Sequence, residues 1–259
     1  DSESHVIRDK SNDYSDMQRV FTKSDLWQGA VRGRYMVSYW TWHRSYDSEA
    51  AQFGSILHRP DVVAEIGKTS LDLKRLAAET DKIAGAEKTL AILYSKSARI
   101  YNKQYMSALH AAYEAACENG YSVGFVTEEN PNKIFDYKEI IVPNCTNIAD
   151  NTLKTLCSFV ESGGKVILTG ENPIIKNEYN RGNSSSNRNT IINAAYTTST
   201  AKASVSSILK RLTGNSDIKL LNSANGGSAE RVHWRWAQDI DGSWIVNIYN
   251  LNNSQVSLN

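Results

Sequence analysis

Between Tyr35 and Asp47 the chain reads YMVSYWTWHRSYD, an apolar strand pattern that runs into two tryptophans, a histidine and an arginine. Trp40 and Trp42 are two residues apart, so on an extended backbone they share a face. Sugar C–H faces stack on indole rings while hydroxyls take hydrogen bonds from histidine and arginine, so Trp40, Trp42, His43 and Arg44 have the chemistry of a carbohydrate subsite. A tryptophan on a buried strand serves equally well as core. His43 and Arg44 could instead brace their loop through Asp47 or Glu49.

The second reactive cluster is Asp1-Ser2-Glu3-Ser4-His5. If the residues before it form the seventh strand of an α/β barrel, Glu3 lies at the carboxyl rim beside the end of the strand that bears Trp40, where barrel enzymes build their active sites. His5 or Arg44 would keep its carboxyl ionised, as a nucleophile requires.

Around these residues the elements follow an α/β order. Asp16 to Gly33 has helical spacing in Val20, Phe21, Leu26, Trp27 and Ala30, and Tyr35 to Trp40 reads as a buried strand. Pro60 then opens an amphipathic run through Val62, Val63, Ile66, Leu71, Leu73 and Leu76. His58-Arg59-Pro60 suits a brace at that helix entry. Further on, four continuous apolar strands (90–94, 121–126, 139–142 and 165–169) alternate with helices at 104–119 and 151–162, the pattern of a parallel sheet covered on both faces. Residues 176–193 are rich in Gly, Ser and Asn and read as an excursion, before a helix at 201–212. From Glu230, Val232, Trp234 and Trp236 alternate with Arg231, His233 and Arg235, and Trp244 to Tyr249 returns after Asp241-Gly242 as a half-buried hairpin.

At 259 residues the chain has room for one large or two ordinary domains, and 29 basic against 28 acidic residues leave a net charge of +1. No nucleic-acid footprint follows from that balance. No segment has the roughly 20 apolar residues of a membrane span, and DSESHVIRDK is too polar for a signal peptide, so a mature, processed or excised chain is expected. The composition leans toward an extracellular setting. Cys117, Cys145 and Cys157 have no metal-ligand spacing, and Cys117 and Cys157, in helical patterns, are expected to be small buried apolar residues. Ser95-Lys96-Ser97-Ala98 follows a strand where flavodoxins seat the FMN phosphate, but no glycine-rich turn or aromatic clamp accompanies it. Asn144-Cys145-Thr146 has the place of a cysteine elbow, without a histidine to serve it. No cofactor and no metal are expected.

The segments DSESHVIRD, LWQGAVRG, YWTWHRSYD, FGSILHRPD and EIGKTSLDLKRLA resemble the end of the catalytic barrel of glycoside hydrolases related to the family 42 β-galactosidases. AEKTLAILYSKSARIYN through DYKEIIVPNCTNIADNTLKTLCSFVESGGKVILTG resembles the flavodoxin-like trimerisation domain that follows it. The resemblance implies an α/β chain in three parts: terminal units of a (β/α)8 barrel over 1–82, a flavodoxin-like domain over 83–214, and the start of a β-sandwich over 215–259. It places Glu3 as the nucleophile of a retaining enzyme, with a second carboxylate roughly 5 Å away as acid and base. That glutamate belongs after the fourth barrel strand, upstream of this sequence, and Asp1, Asp9 and Asp13 do not match it. The implied partners are a carbohydrate substrate, the upstream part of the same enzyme and further copies in a trimer, with no nucleic acid and no membrane. A non-catalytic structural or carbohydrate-binding protein that retains the scaffold is the alternative.

Overall fold

The structure is a computed structural model that describes residues 3–5, 17–40, 59–212, 218–227, 229–252 and 254–259; for Glu3–His5, Met17, Gln18 and Trp40 it describes the backbone alone. The chain divides into two compact units, one of residues 1–86 with 236–247 and the other of 87–235 with 248–259.

In the first unit, β1 (Glu3–His5), α1 (Met17–Ala30), β2 (Ser38–Trp40), α2 (Pro60–Arg75) and α3 (Ala77–Gly85) follow one another. β1 and β2 pair in parallel, with Glu3 opposite Ser38 and His5 opposite Trp40. The expected buried strand from Tyr35 is shorter than its apolar run. Tyr35 is 91% exposed and Met36 is exposed too, so only the last three residues pair. On α1 the buried positions are Thr22 and Leu26, one turn apart, whereas Val20 and Phe21 face outward. Val62 is the buried anchor of α2, with Tyr39, Val63 and Ile66 against it. Pro60 occupies the first turn of that helix, and Arg59, almost wholly buried, donates to both Asp61 oxygens at 3.0 and 2.8 Å. The Arg59 hydrogen bonds hold the Asp61 carboxyl below the ordinary carboxylate range. The run that reads as one amphipathic stretch breaks at Leu76, and Leu71 is exposed.

The second unit is built on β3 (Leu90–Tyr94), β4 (Val123–Thr127), β5 (Glu139–Pro143), β6 (Lys165–Thr169) and β7 (Tyr196–Thr198). All neighbouring pairs are parallel, in the order β4-β3-β5-β6-β7. This is the flavodoxin-like order, in which the strand sequence reverses between β3 and β5. The inner strands are continuous apolar runs because helices cover both faces: α4 (Lys96–Tyr101), α5 (Tyr105–Glu118), α6 (Asp150–Glu161), α7 (Ser185–Ala194) and α8 (Lys202–Leu212). The excursion expected over 176–193 contains α7. Ser184 caps its first turn by accepting from the Asn187 N–H, and Ile191 is its single fully buried side chain. One apolar anchor and one cap leave no amphipathic pattern for the sequence to display.

The last two strands are β8 (Val232–Gln238) and β9 (Trp244–Asn250). β8 departs from the half-buried alternation expected of it, since Val232, His233, Trp234 and Arg235 are all buried in succession. Trp234 packs where Gly120 (φ +76°) presents bare backbone; a Cβ there would come within 2.3 Å of the indole. Its Nε1 donates to the Glu118 carbonyl at 3.0 Å. Trp236 and Trp244 meet edge to face, their centroids 5.1 Å apart, and Trp244 is 40% exposed.

The Glu118 carboxylate, 6% exposed as a residue, accepts from Lys202 Nζ at 2.7 Å and from the Arg231 backbone N–H at 2.8 Å. Removing it strands a lysine and a backbone donor together. Glu118→Ala is therefore expected to lower unfolding free energy by about 3 kcal/mol in urea titrations, whereas loss of a purely exposed ion pair would cost under about 1 kcal/mol.

Candidate functional site

The barrel-end residues come together only as backbone. The parallel register sets Glu3 two residues before the position opposite Trp40, so β1 and the end of β2 run side by side in the same direction. The side chains of Glu3, His5 and Trp40, and all of Trp42, His43 and Arg44, lie outside the described residues. Beside them, Tyr39 is held up at about 12, first by burial and then by the Asp25 carboxylate. Asp25 itself is gripped by Arg34 through two bonds of 3.0 Å each.

In the second unit the switch point between β3 and β5 is where a flavodoxin-like fold binds its ligand. Here a carboxylate of the chain fills it. Glu128, directly after β4, accepts through Oε1 from Ser95 Oγ at 3.0 Å and from the Ala149 N–H at 2.8 Å. Through Oε2 it accepts from the Ser97 N–H at 2.8 Å and from Ser97 Oγ at 2.9 Å. Ser95 also caps α4 by accepting from the Ala98 N–H at 2.9 Å. The donors that would cradle an FMN phosphate are thus spent on an internal anion, and the Ser95-Lys96-Ser97-Ala98 segment is a tie between strands. The sequence carried this only as a glutamate at the end of an apolar strand.

Cys145 is fully buried, and its Sγ lies 3.5 Å from the Pro143 carbonyl. Burial, reinforced by the Glu128 carboxylate, pushes its thiol well above the ordinary range, the reverse of what a nucleophile needs. Cys117 and Cys157 are likewise buried, as expected of packing residues. Among the described residues no group of three or more His, Cys, Asp or Glu side chains could hold a metal ion. No helix among them is long and apolar enough to cross a membrane.

Beside this tie, a cavity of about 970 Å3 opens over the carboxyl ends of β5, β6 and β7. Tyr101 and Asn102 from the end of α4, Asn144 after β5, Glu171 after β6 and Arg188 from α7 line it. Asn144 adopts a left-handed backbone (φ 44°), with its N–H donating to Thr169 Oγ1 at 3.0 Å and its carbonyl accepting from Asn102 Nδ2 at 2.8 Å. Gly170 (φ +95°) leaves room for the Asn144 side chain, since a Cβ there would stand 2.3 Å from Asn144 Oδ1. Nothing in the sequence reading pointed to this cavity. The available signal was positional: polar residues just past three consecutive apolar strands.

Comparison with known proteins gives the second unit a class. The family model of the β-galactosidase trimerisation domain matches residues 85–182. Among solved structures, an apo exo-carrageenase GH42 from Bacteroides ovatus matches 99% of this chain and 36% of its own at TM-score 0.77 and 20% identity. A catalytic mutant of a GH42 β-galactosidase from G. stearothermophilus matches 63% of this chain and 25% of its own at TM-score 0.51 and 23% identity. A β-galactosidase from Bacillus circulans sp. alkalophilus matches 70% and 28% at TM-score 0.51 and 20% identity. No match emerges among curated protein sequences. Residues 85–182 form a domain of the β-galactosidase trimerisation type, and the chain shares its fold with part of these family 42 glycoside hydrolases. It spans about a third or less of the length of these solved relatives.

Two outcomes follow from the switch-point geometry. Glu128→Ala removes four charge-assisted hydrogen bonds and leaves two backbone donors unpaired, so unfolding free energy should fall by about 3 kcal/mol or more in urea. Cys145, Tyr105 and Tyr121 are all driven upward, chiefly by burial, so the folded chain holds their protons more tightly than the unfolded chain. Their contribution is complete below the unfolded pKa values of about 8.5 for cysteine and about 10 for tyrosine, and is lost as pH rises toward the higher native values. Urea midpoints at pH 7, 9 and 10.5 should decline across that series.

Proposed function

We propose that this chain is the C-terminal portion of a retaining, β-galactosidase-like glycoside hydrolase that cleaves glycosidic bonds in oligo- or polysaccharides. In this reading residues 1–82 complete a (β/α)8 barrel, residues 83–214 form the trimerisation-type domain, and residues 215–259 begin a β-sandwich domain. Glu3 is the nucleophile, and Trp40, Trp42, His43, Arg44 and His5 belong to the substrate subsite. The acid/base carboxylate comes from the upstream part of the same enzyme.

The observation that carries this reading is the parallel pairing of β1 with β2, each followed by a helix, immediately ahead of a trimerisation-type domain. Two parallel strands alone bury neither face, and parallel pairs belong to sheets covered on both sides. Tyr39 packs against α2, so the pleat assigns Ser38 and position 40 to the opposite face, which in a closed barrel is the interior. The exposed Val20, Phe21, Tyr35 and Met36 are apolar surface of the kind that further barrel elements cover. The catalytic rim then lies at the carboxyl ends of β1 and β2. A carboxylate at that rim attacks the anomeric carbon while the second carboxylic acid protonates the leaving oxygen. In the second half-reaction the acid, now a carboxylate, takes a proton from water as it attacks the glycosyl-enzyme. Tryptophan rings floor the sugar and His43 and Arg44 bond its hydroxyls.

Assembly of three copies through the second unit belongs to the same proposal, and light scattering on the full-length protein should return three times the mass of one chain. Glu3→Gln in that protein should reduce turnover of an aryl β-galactoside by ~1,000-fold or more and leave the oligomer intact. Retained turnover with Glu3→Gln would remove Glu3 from the nucleophile role.

A further inference from the structure

The cavity over β5, β6 and β7 has a composition that fits a ligand of a particular kind. Arg188 reaches its wall from the middle of α7, and its Nε is buried without a hydrogen-bond partner among the described residues. No carboxylate of those residues pairs with its guanidinium. Partly exposed to the cavity and with its Nε unpaired, this planar fork is the group best shaped to take a carboxylate or sulfate oxygen pair.

The rest of the wall speaks against a polyanion. Glu171 stands on the rim and would repel additional negative charge. The backbone donors that bind phosphates at a switch point are already engaged by Glu128. What remains are neutral polar groups. The Asn144 amide, Asn172 and the hydroxyls of Thr198 and Thr200 have no protein partner among the described residues, and the ring of Tyr101, 47% exposed, offers a stacking face. Asn144 is held in its left-handed conformation by backbone bonds on both sides, which fixes where its amide points. A volume near 970 Å3 lies at the upper end of small-ligand pockets, which run about 300–1,000 Å3.

We propose that this cavity binds an acidic saccharide, with the Arg188 guanidinium taking the anionic substituent and the Asn144, Asn172, Thr198 and Thr200 side chains taking ring hydroxyls over the Tyr101 ring. The anion is a carboxylate or a sulfate ester, which present the same oxygen pair to arginine. This goes beyond the hydrolase reading, because the site lies wholly in the second unit and involves none of the barrel-end residues. Only the choice of galactan probes and of a Glu3→Gln background rests on that reading.

The test uses the full-length protein carrying Glu3→Gln, so that a barrel-site ligand is not turned over. Isothermal titrations with tetragalacturonate, a sulfated galactan tetrasaccharide and neutral β-1,4-galactotetraose are repeated after adding Arg188→Gln or Arg188→Lys. At least one acidic tetrasaccharide is expected to bind, to weaken by tenfold or more with Arg188→Gln, and to weaken less with Arg188→Lys, which keeps the charge without the fork. Galactotetraose binding should be the same with and without Arg188→Gln. Whichever acidic probe binds more tightly identifies the substituent as carboxylate or sulfate. Unchanged affinity for the acidic probes in Arg188→Gln, or no binding of either acidic probe, overturns the proposal. Loss of turnover in Glu3→Gln with Arg188-independent binding upholds the nucleophile and removes this site, so the two failures are distinguishable.

Discussion

A single carboxylate holds the carboxyl edge of the second unit together. Glu128 reaches from the end of β4 to the segment after β3, 33 and 31 residues away at Ser95 and Ser97, and to the entry of α6 at Ala149, 21 residues away. Three strand ends that would each leave unsatisfied donors are closed by one anion, and α4 and α6 start where it fixes them. The donors at the switch point of this flavodoxin-like order thereby have a partner within the chain. The same contact holds Cys145 as a neutral packing group, since the negative charge adjoining it opposes formation of a thiolate.

The parts of this fold that were legible in the sequence are those whose signal is local. Leu90–Tyr94 and Glu139–Pro143 are apolar at almost every position because both faces are covered, and their boundaries fall within a residue of the apolar runs. Cys117 and Cys157 read as packing residues from their helical context and are both buried. What escaped notice depends on partners distant in sequence. The Glu128 tie has no periodicity, and α7 rests on one buried isoleucine and one serine cap, so its sequence looks like a loop. β8 alternates Trp with Arg and His, which suggests one wet face, yet His233 and Arg235 are buried along with Val232 and Ala237. Burial on both faces of that strand is set by what packs over it, which alternation cannot encode.

The candidate sites divide in the same way. Glu3 and Trp40 were singled out by residue type, order and a family resemblance; the described backbone puts them on adjacent parallel strands, with His5 rather than Glu3 opposite Trp40. The polar cavity beside Asn144 and Arg188 has no motif at all. It exists because three parallel strands end together, Gly170 leaves space for a side chain, and α7 crosses above. Such a place is assembled by topology from residues that individually look like ordinary loop composition.

The division of the chain has a practical corollary. The polypeptide crosses from the first unit to the second between Ala86 and Glu87, returns between Arg235 and Trp236, and crosses again between Asn247 and Ile248. A protease that cuts once after Ala86 would therefore divide the first unit itself, leaving Trp236–Asn247 covalently on the second unit and residues 1–86 as a separate polypeptide. An excised piece ending at Arg235 would split β8 in the middle of its length and discard the strand that pairs with it.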